Sequence, residues 1–252
     1  MTEHTVYLIT GANRGIGHAI AHLLLQRPNV TVIHTARRSP PPTDTSTAPH
    51  HPTSRSIHVL LDEADPALSS ASLAARLREE HDIDHLDVVV ANAGGSSGFK
   101  GVLDTEPQDV LYDFETNALG VFRLFRATWP LLLQSQAAHK KFVLISSSVG
   151  SIVSLDEEGF FPSAAYGMSK AAANWFAKKV SVEFKEQGLA VGIIHPGWVQ
   201  TPMGQALADA IGFPQPPLDE HNSAKGVIAQ MDKVTPEFSG KFVAWNGTEI
   251  PW

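Results

Sequence analysis

The sequence predicts an α/β fold with a doubly wound parallel sheet of about seven strands and helices on both faces. Short apolar runs rich in β-branched residues alternate along the chain with segments of helical periodicity. This alternation indicates parallel strands joined by crossover helices. Glycines or polar residues follow most of these runs directly. Since ligands of such sheets bind beyond the carboxyl ends of the strands, we expect the functional site there.

The first unit is a strand at 6–10, a glycine turn and a helix. The turn reads Gly11-Ala12-Asn13-Arg14-Gly15-Ile16-Gly17. A glycine-rich turn between a strand and a helix is typical of phosphate binding, because the first N–H groups of the helix face the anion. Gly11 would permit the tight turn, while Gly15 and Gly17 would let the backbone approach a pyrophosphate. A structural turn without a ligand is the alternative, which the flanking strand and helix disfavour.

The residues that follow the second predicted strand, at 30–35, indicate which cofactor the chain binds. An NAD(H) site usually has an acidic residue after this strand, where it binds the ribose 2′-hydroxyl. This chain instead has Arg37 and Arg38 there, and Arg14 in the glycine turn. Guanidinium groups bind phosphate bidentately, so the sequence favours NADP(H) over NAD(H). We assign this role to Arg37, and Arg38 stays open between a ligand contact and a solvated charge.

The remaining elements follow the same alternation in a single domain, 1–252. A segment rich in Pro, Thr, Ser and His at 39–56 is predicted as a long mobile loop, and the apolar, Pro-rich 202–218 as a substrate loop. Further strands are predicted at 57–61, 86–91, 141–145, 189–194 and 241–244. Further helices are predicted at 66–80, 107–134, 163–187 and 223–234.

The most informative pair is Tyr166 and Lys170, four residues apart in a predicted helix. Residues at this spacing lie on one face of a helix. A free Tyr has a pKa of about 10, and a neighbouring ammonium favours the phenolate. We therefore expect Lys170 to lower the pKa of Tyr166, which would make the phenol a general acid/base near neutral pH.

Composition excludes several classes of function. The chain of 252 residues is 43% hydrophobic and 18% charged, with a formal net charge of −7, so neither nucleic acid nor an anionic membrane is expected as a partner. Cysteine is absent, so no disulfide, thiol nucleophile or cysteine zinc site is possible. The histidines show no ligand spacing, so no metal is expected. No signal peptide is apparent, and we expect a cytoplasmic protein.

Six motifs in this order are similar to those of one family. They are Thr10-Gly-x-x-x-Gly-Ile-Gly17, Asn92-Ala93-Gly94, Asn117 in Glu-Thr-Asn-Ala-Leu-Gly, Ser147, Tyr166-x-x-x-Lys170 and Pro196-Gly197-x-Val199-x-Thr201. The chain thus resembles the single-domain short-chain dehydrogenases/reductases, which have a Rossmann fold, over nearly its whole length. Its carboxyl-terminal motifs also resemble those of fungal polyketide ketoreductases and related NADPH carbonyl reductases.

The resemblance implies a role for each matching residue. Tyr166 would exchange the proton, Ser147 would hydrogen-bond the substrate carbonyl, Lys170 would bind the nicotinamide ribose, and Asn117 would anchor a water of the proton relay. The cofactor would also contact the glycine turn, Asp62, Asn92 to Gly94, and Pro196, Gly197, Val199 and Thr201. The family resemblance further implies a homodimer or homotetramer formed through the helices near 107–134 and 163–187.

Some alternatives remain open at this stage. Ser146 or Ser148 could take the place of Ser147, and Phe160 and Phe161 of an apparent insertion could touch substrate or simply pack. The predicted reaction is NADPH-dependent reduction of a hydrophobic ketone or aldehyde, and the predicted setting is secondary metabolism. A dehydratase, cyclase or isomerase that uses the same Tyr, or a non-catalytic NADP(H)-binding sensor, is the alternative.

Overall fold

The computed structural model describes residues 4–38 and 50–252, apart from the side chain of Glu158. Within these residues a seven-stranded parallel sheet has the strand order β3-β2-β1-β4-β5-β6-β7. The fold is therefore the predicted doubly wound Rossmann architecture. The strands are β1 (Thr5–Ile9), β2 (Val30–Ala36), β3 (Arg55–Leu60), β4 (Val88–Ala91), β5 (Lys140–Ile145), β6 (Leu189–His195) and β7 (Lys241–Ala244).

Helices connect these strands across both faces of the sheet. The α-helices are α1 (Gly15–Leu25), α2 (Ser70–His81), α3 (Pro107–Phe114), α4 (Gly120–Leu132), α5 (Leu155–Glu158), α6 (Ala164–Glu183), α7 (Pro202–Ala210) and α8 (Glu220–Lys233). A π-helical turn, Glu115–Leu119, joins α3 to α4, so the helix predicted at 107–134 is one nearly continuous rod with a local widening.

Successive side chains of each strand point to opposite faces of the sheet, and this divides the apolar residues into two cores. In β1, Val6 and Leu8 belong to the core that α2, α4 and α6 cover, while Tyr7 and Ile9 belong to the core that α1 and α8 cover. The period of two follows from the pleat of the strand, which directs successive side chains to opposite faces. Because both faces are covered, the strands are apolar on both sides, as the sequence predicts.

Three predicted boundaries need correction. Of the predicted loop 39–56, residues 39–49 lie outside the described residues, and 55–56 belong to β3. The predicted loop 202–218 begins with helix α7, where the Thr201 hydroxyl accepts a hydrogen bond from the Gly204 N–H (3.1 Å) and Pro202 occupies the first turn. Helix α2 begins at Ser70 and not near 66.

Two backbone hydrogen bonds fix the glycine turn at the carboxyl edge of the sheet. The Thr10 N–H donates to the Val90 carbonyl (3.1 Å), and the Ala12 N–H donates to the Thr35 carbonyl (3.0 Å). The turn is therefore held between the ends of β2 and β4. Among the described residues, no helix has the length and apolar character that crossing a bilayer requires.

Candidate active site

Close packing against the segment after β4 explains two glycines of the motif. Gly11 has a φ of +65°, and a Cβ atom there would lie 2.9 Å from the Cα of Ala93. At Gly17 a Cβ atom would lie 2.3 Å from Asn92 Nδ2. The glycines therefore let the start of α1 approach the end of β4. Helix α1 has no side-chain hydrogen bond at its N-cap, so its first N–H groups are available to an anion.

A second network ties the end of β1 to Asn92 and Ala93. The Asn92 amide donates to the carbonyls of Thr10 (2.9 Å) and Gly11 (3.3 Å). The Thr10 hydroxyl in turn accepts hydrogen bonds from the N–H groups of Asn92 (3.1 Å) and Ala93 (3.0 Å). These bonds hold the Asn92–Gly94 segment beside the glycine turn. Thr10 is thus a positioning residue that the motif contains but that the sequence analysis did not single out.

The predicted adenosine contacts lie at the same edge. Arg14 is the N-cap of α1, and Arg37 and Arg38 follow β2; all three side chains are exposed. Asp62 follows β3, and its carboxylate accepts a hydrogen bond from the Ala64 N–H (3.1 Å). The hydrogen bond from the Ala12 N–H to Thr35 brings the glycine turn and the end of β2 together. Asn13 and Arg14 therefore project from the same edge as Arg37.

Tyr166 and Lys170 both lie in α6, as predicted. Lys170 is only 4% exposed, its Nζ donates to the Ile145 carbonyl (3.0 Å), and it lies 5.6 Å from the centroid of the Tyr166 ring. Burial lowers the pKa of Lys170 to about 8. The ammonium therefore lies behind the ring of Tyr166, at the end of β5.

The expected lowering of the Tyr166 pKa is wrong for this structure. Desolvation of the phenol raises its pKa, the charge of Asp113 raises it further, and a hydrogen bond with the Ser147 side chain opposes them. The loss of water around the hydroxyl is the largest of these three effects on the pKa. Tyr166 is consequently protonated at neutral pH.

The structure separates the three serines that follow β5. The Ser146 hydroxyl is buried and donates to the Asn174 side chain. The N–H of Ser148 donates to His195 Nδ1 (3.2 Å), and Ser148 begins a short 3₁₀ turn. Ser147 alone of the three has the contact with the Tyr166 phenol. Burial, and then the charge of Lys170, lowers the pKa of His195 to about 4, so its ring is neutral.

Asn117 lies inside the π-helical turn and is fully buried. Its amide donates to the Gly95 carbonyl (2.8 Å) and to the Ser169 hydroxyl (2.9 Å), and its oxygen accepts from the Gly95 N–H (2.9 Å). Ser169 in turn donates to the Tyr166 carbonyl (2.7 Å). Asn117 therefore connects the segment after β4 to the helix that carries Tyr166. A Cβ atom on Gly94 would lie 3.0 Å from Asn117 Oδ1.

The segment after β6 closes the other side of the site. The Pro196 carbonyl accepts a hydrogen bond from the Ser223 hydroxyl (2.7 Å), and Gly197 has a φ of +88°. Val199 pairs with Leu218 as an isolated parallel bridge. A Cβ atom on Gly15 would lie 3.5 Å from Thr201 Cγ2, so this segment meets the glycine turn.

Aromatic side chains cluster beside this segment. Between ring centroids, Trp198 lies 6.0 Å from Phe161 and 5.2 Å from Phe213. The Phe160 and Phe161 rings are tilted to one another, with centroids 4.1 Å apart. Phe160 and Phe213 are exposed. Water-exposed aromatic rings joined in this way form an apolar surface, which suits a hydrophobic ligand. This aromatic cluster is made of the insertion at 155–162, Trp198 and the turn after α7.

Two residues near Tyr166 were not predicted. The Phe99 ring meets the Tyr166 ring edge-on, with centroids 6.1 Å apart, and the Asp113 carboxyl acts on the phenol through its charge. Neither position stands in one of the six motifs, so no sequence signal identified them. The sequence did contain a signal for helix α7, because Thr201-Pro202 is a typical start of a helix.

Fold and site together define a doubly wound α/β protein of the Rossmann class with a tyrosine–lysine pair at the carboxyl edge of its sheet. A family model described as short chain dehydrogenase matches residues 5–212. The chain belongs to the short-chain dehydrogenase family.

Individual relatives agree with this membership. The norsolorinic acid ketoreductase of Aspergillus parasiticus is 39% identical and covers 99% of this chain and 92% of its own length. The norsolorinic acid ketoreductase of Dothistroma septosporum is 37% identical over 100% of this chain and 94% of its own length. The crystal structure of NADPH-bound carbonyl reductase from chicken fatty liver has a TM-score of 0.84 and 28% identity, over 99% of this chain and 100% of that one.

Proposed function

We propose that the protein reduces a hydrophobic ketone or aldehyde to an alcohol with NADPH, and that Tyr166 donates the proton. The observation that carries this proposal is the convergence of four side chains at one edge of the sheet. Ser147 contacts the Tyr166 phenol, Lys170 lies behind its ring, and Asn117 holds the helix through Ser169. This set matches the family motif residue by residue.

The residues at the edge fit NADP(H). The uncapped start of α1 and the positive φ of Gly11 and Gly15 form a backbone surface that a pyrophosphate can approach. We assign the ribose 2′-phosphate to the guanidinium groups of Arg14 and Arg37, which are exposed at this edge. Lys170 would bind the nicotinamide ribose, and Val199 and Thr201 would contact the nicotinamide end. The chicken carbonyl reductase is described as NADPH-bound, which supports this choice.

The chemistry of reduction assigns a task to each side chain. NADPH supplies the hydride, and negative charge then develops on the carbonyl oxygen of the substrate. The Ser147 hydroxyl and the Tyr166 phenol would donate hydrogen bonds to that oxygen, which stabilises the transition state more than the ground state. A raised phenol pKa keeps the proton on Tyr166 at neutral pH, the state that a proton donor requires.

The aromatic cluster supports an apolar substrate. The cluster comes from three parts of the chain beside the site and carries no charge; its members are Phe160, Phe161, Trp198 and Phe213. The two fungal relatives are named ketoreductases of norsolorinic acid, which supports a ketone and a place in secondary metabolism. We therefore propose an aromatic or alicyclic ketone as the substrate class.

The test is NADPH oxidation with a panel of aromatic and alicyclic ketones, quinones and aldehydes. Wild-type turnover should fall by at least about 100-fold in Tyr166→Phe, since a positioned general acid contributes about 10²- to 10⁴-fold. NADPH binding by the variant, followed by nucleotide fluorescence, should stay near the wild-type level. Binding without turnover of any carbonyl compound would contradict the reductase and favour a lyase or a sensor.

The proposed cofactor preference has its own test. Arg37→Ala should raise the KM for NADPH about tenfold or more and leave the KM for NADH nearly unchanged, because a phosphate contact is lost and a hydroxyl contact is not. Arg78→Ala is the control, because Arg78 is an exposed arginine in the last turn of α2 that has no proposed role at the cofactor. A wild-type preference for NADH would contradict the NADP(H) assignment.

A further inference from the structure

Asn174 is a buried amide of α6 that belongs to none of the six motifs. It follows Lys170 by four residues and Tyr166 by eight, and steps of four keep side chains along one side of a helix. Asn174 is only 3% exposed, whereas its buried neighbours Ala173 and Ala177 are apolar. Burial of an amide is costly unless its polar atoms are hydrogen-bonded, so its partners show which part of the protein it holds.

Both ends of this amide bind the turn that carries Ser147. The Asn174 Nδ2 donates to the Gly150 carbonyl (3.4 Å), and its Oδ1 accepts a hydrogen bond from the Ser146 hydroxyl. A carbonyl can only accept, so the Gly150 oxygen fixes which end of the amide faces it and makes Ser146 the donor at the other end. One side chain therefore joins the two ends of the turn 146–150, with Ser147 between them.

The serine turn 146–150 is held between α6 and β6. On the α6 side it packs closely, because a Cβ atom on Gly150 would lie 2.9 Å from the Lys170 Cβ. On the β6 side the Ser148 N–H donates to His195 Nδ1 (3.2 Å). Asn174 supplies side-chain hydrogen bonds on the helix side, so it links the serine turn to the helix that carries the tyrosine and the lysine.

We propose that Asn174 is a positioning residue of the active site, which fixes the Ser147 hydroxyl relative to the Tyr166 phenol by binding both ends of the serine turn. The proposal rests on the proposed function, in which Ser147 and Tyr166 donate hydrogen bonds to one carbonyl oxygen. A buried polar network whose bonds are all made is rigid. Rigidity matters at this place, because a displacement of about 1 Å between reacting groups can cost about 100-fold in rate.

Asn174→Leu removes both hydrogen bonds with little change in side-chain size. We expect kcat for the ketone to fall about 10- to 100-fold, because the Ser147 hydroxyl loses its fixed position. The KM for NADPH should stay within about twofold of the wild-type value, because the glycine turn is unchanged. Ser181→Ala is the control: it removes another buried hydrogen bond of α6, from the Ser181 hydroxyl to the Lys178 carbonyl (2.7 Å), and should leave kcat near the wild-type value.

A double-mutant cycle separates positioning from general damage. If Asn174 acts through Ser147, Asn174→Leu should change kcat by no more than about twofold in a chain that already has Ser147→Ala. A loss of equal size with and without the Ser147 hydroxyl would overturn the positioning role.

Ser146→Ala covers the case in which Asn174→Leu does not fold. It removes a single oxygen and only one of the two hydrogen bonds that the amide makes with the turn. We expect a smaller loss of kcat than in Asn174→Leu, about three- to tenfold, which again disappears when Ser147→Ala is present. A wild-type kcat in Ser146→Ala would overturn the proposal.

Amide hydrogen exchange tests the hold on the turn without any turnover. The N–H groups of Ser148, Gly150 and Ser151 donate the hydrogen bonds that close the turn. In both variants these groups should exchange faster than in the wild type, while those of β6 should keep their rates, because only the turn is loosened. Unchanged exchange in the turn would overturn the inference. Faster exchange in a protein that reduces no carbonyl compound would contradict the proposed function and still support the hold of Asn174 on the turn.

Discussion

At the scale of single residues, the buried ammonium of Lys170 lowers the stability of the folded chain. Its ammonium is buried, and its hydrogen bond is to the Ile145 carbonyl. Burial lowers its pKa from 10.5 to about 8, so the folded state disfavours the charged form. The destabilisation is complete below about pH 8 and disappears as the pH rises toward 10.5, because the unfolded chain then also loses the proton. From the shift, it amounts to about 3 kcal/mol at neutral pH.

Lys170→Met should therefore stabilise the free protein and abolish turnover. Loss of the hydrogen bond to Ile145 costs about 1 kcal/mol, which leaves a net gain of about 2 kcal/mol in the free energy of unfolding at pH 7. Chemical denaturation at pH 7 and pH 9.5 measures this gain, which should shrink at the higher pH. A variant less stable than the wild type at pH 7 would show that the buried ammonium has a stabilising partner.

The spacing of Tyr166 and Lys170 predicted their common helix face but gave the wrong direction for the phenol pKa. Helical periodicity is a local property, so the sequence contains it. Desolvation of a phenol and the charge of Asp113 depend on which distant segments pack there, and the two residues are 53 positions apart. For the same reason Ser147 could not be separated from Ser146 and Ser148 before their contacts were known.

At the scale of elements, Gly17 is one of the two glycines that let α1 approach the end of β4. Gly17→Ala would place a methyl group 2.3 Å from Asn92 Nδ2, whose hydrogen bonds to Thr10 and Gly11 hold it in place. We expect a loss of about 1–3 kcal/mol in the free energy of unfolding, typical of overpacking, and weaker NADPH binding. Thermal denaturation and nucleotide titration measure the two effects.

Gly120→Ala is the matched control for this prediction. Gly120 is also helical, but a Cβ atom there would lie 3.6 Å from the Glu115 carbonyl, an ordinary contact. The change should be neutral or stabilise by about 0.5–1 kcal/mol, since alanine loses less backbone entropy than glycine in a helix. If Gly17→Ala and Gly120→Ala changed the free energy of unfolding in the same direction, the result would argue against a special contact at Gly17.

Element prediction succeeded where the pattern was periodic and failed where it was interrupted. The strands after the glycine turn matched within a few residues because buried parallel strands give continuous apolar runs. Helix α7 was taken for a loop because its proline-rich continuation hid the start signal at Thr201-Pro202. The π-helical turn that carries Asn117 has no distinct sequence pattern, although π turns often mark functional sites.

At the scale of the whole molecule, strand order assembles the site. The ends of β1, β4, β5 and β6 carry the glycine turn, Asn92, Ser147 and Pro196, and these four strands are neighbours in the sheet. The motifs therefore meet although more than 180 residues separate the first from the last. Strand alternation predicted that the ends share one edge, whereas the order of the strands depends on long-range pairing.

The molecule also exposes an apolar groove between α4 and α6. Its volume is about 360 Å³, Trp175 at its border is 68% exposed, and its lining has no charged side chain. The residues that line it are Phe114, Ala118, Leu119, Phe122, Ala172, Trp175 and Phe176. These helices coincide with the segments 107–134 and 163–187, through which the family resemblance implies a homodimer or homotetramer. Since contiguous exposed apolar surface marks interaction sites, we propose that a second copy covers this groove.

Trp175→Glu should then convert the oligomer to a monomer. In a twofold interface both copies would bury the new carboxylate, and the groove lining offers it no charged partner. Because an unpaired buried charge is costly, association should weaken by at least about 100-fold. Light scattering coupled to gel filtration gives the mass of each species. Val153→Glu is the control, because it places the same charge on an exposed apolar residue outside the groove, and it should leave the mass of the oligomer unchanged. A wild-type monomer at micromolar concentration would contradict the proposed assembly and leave the groove to a different partner.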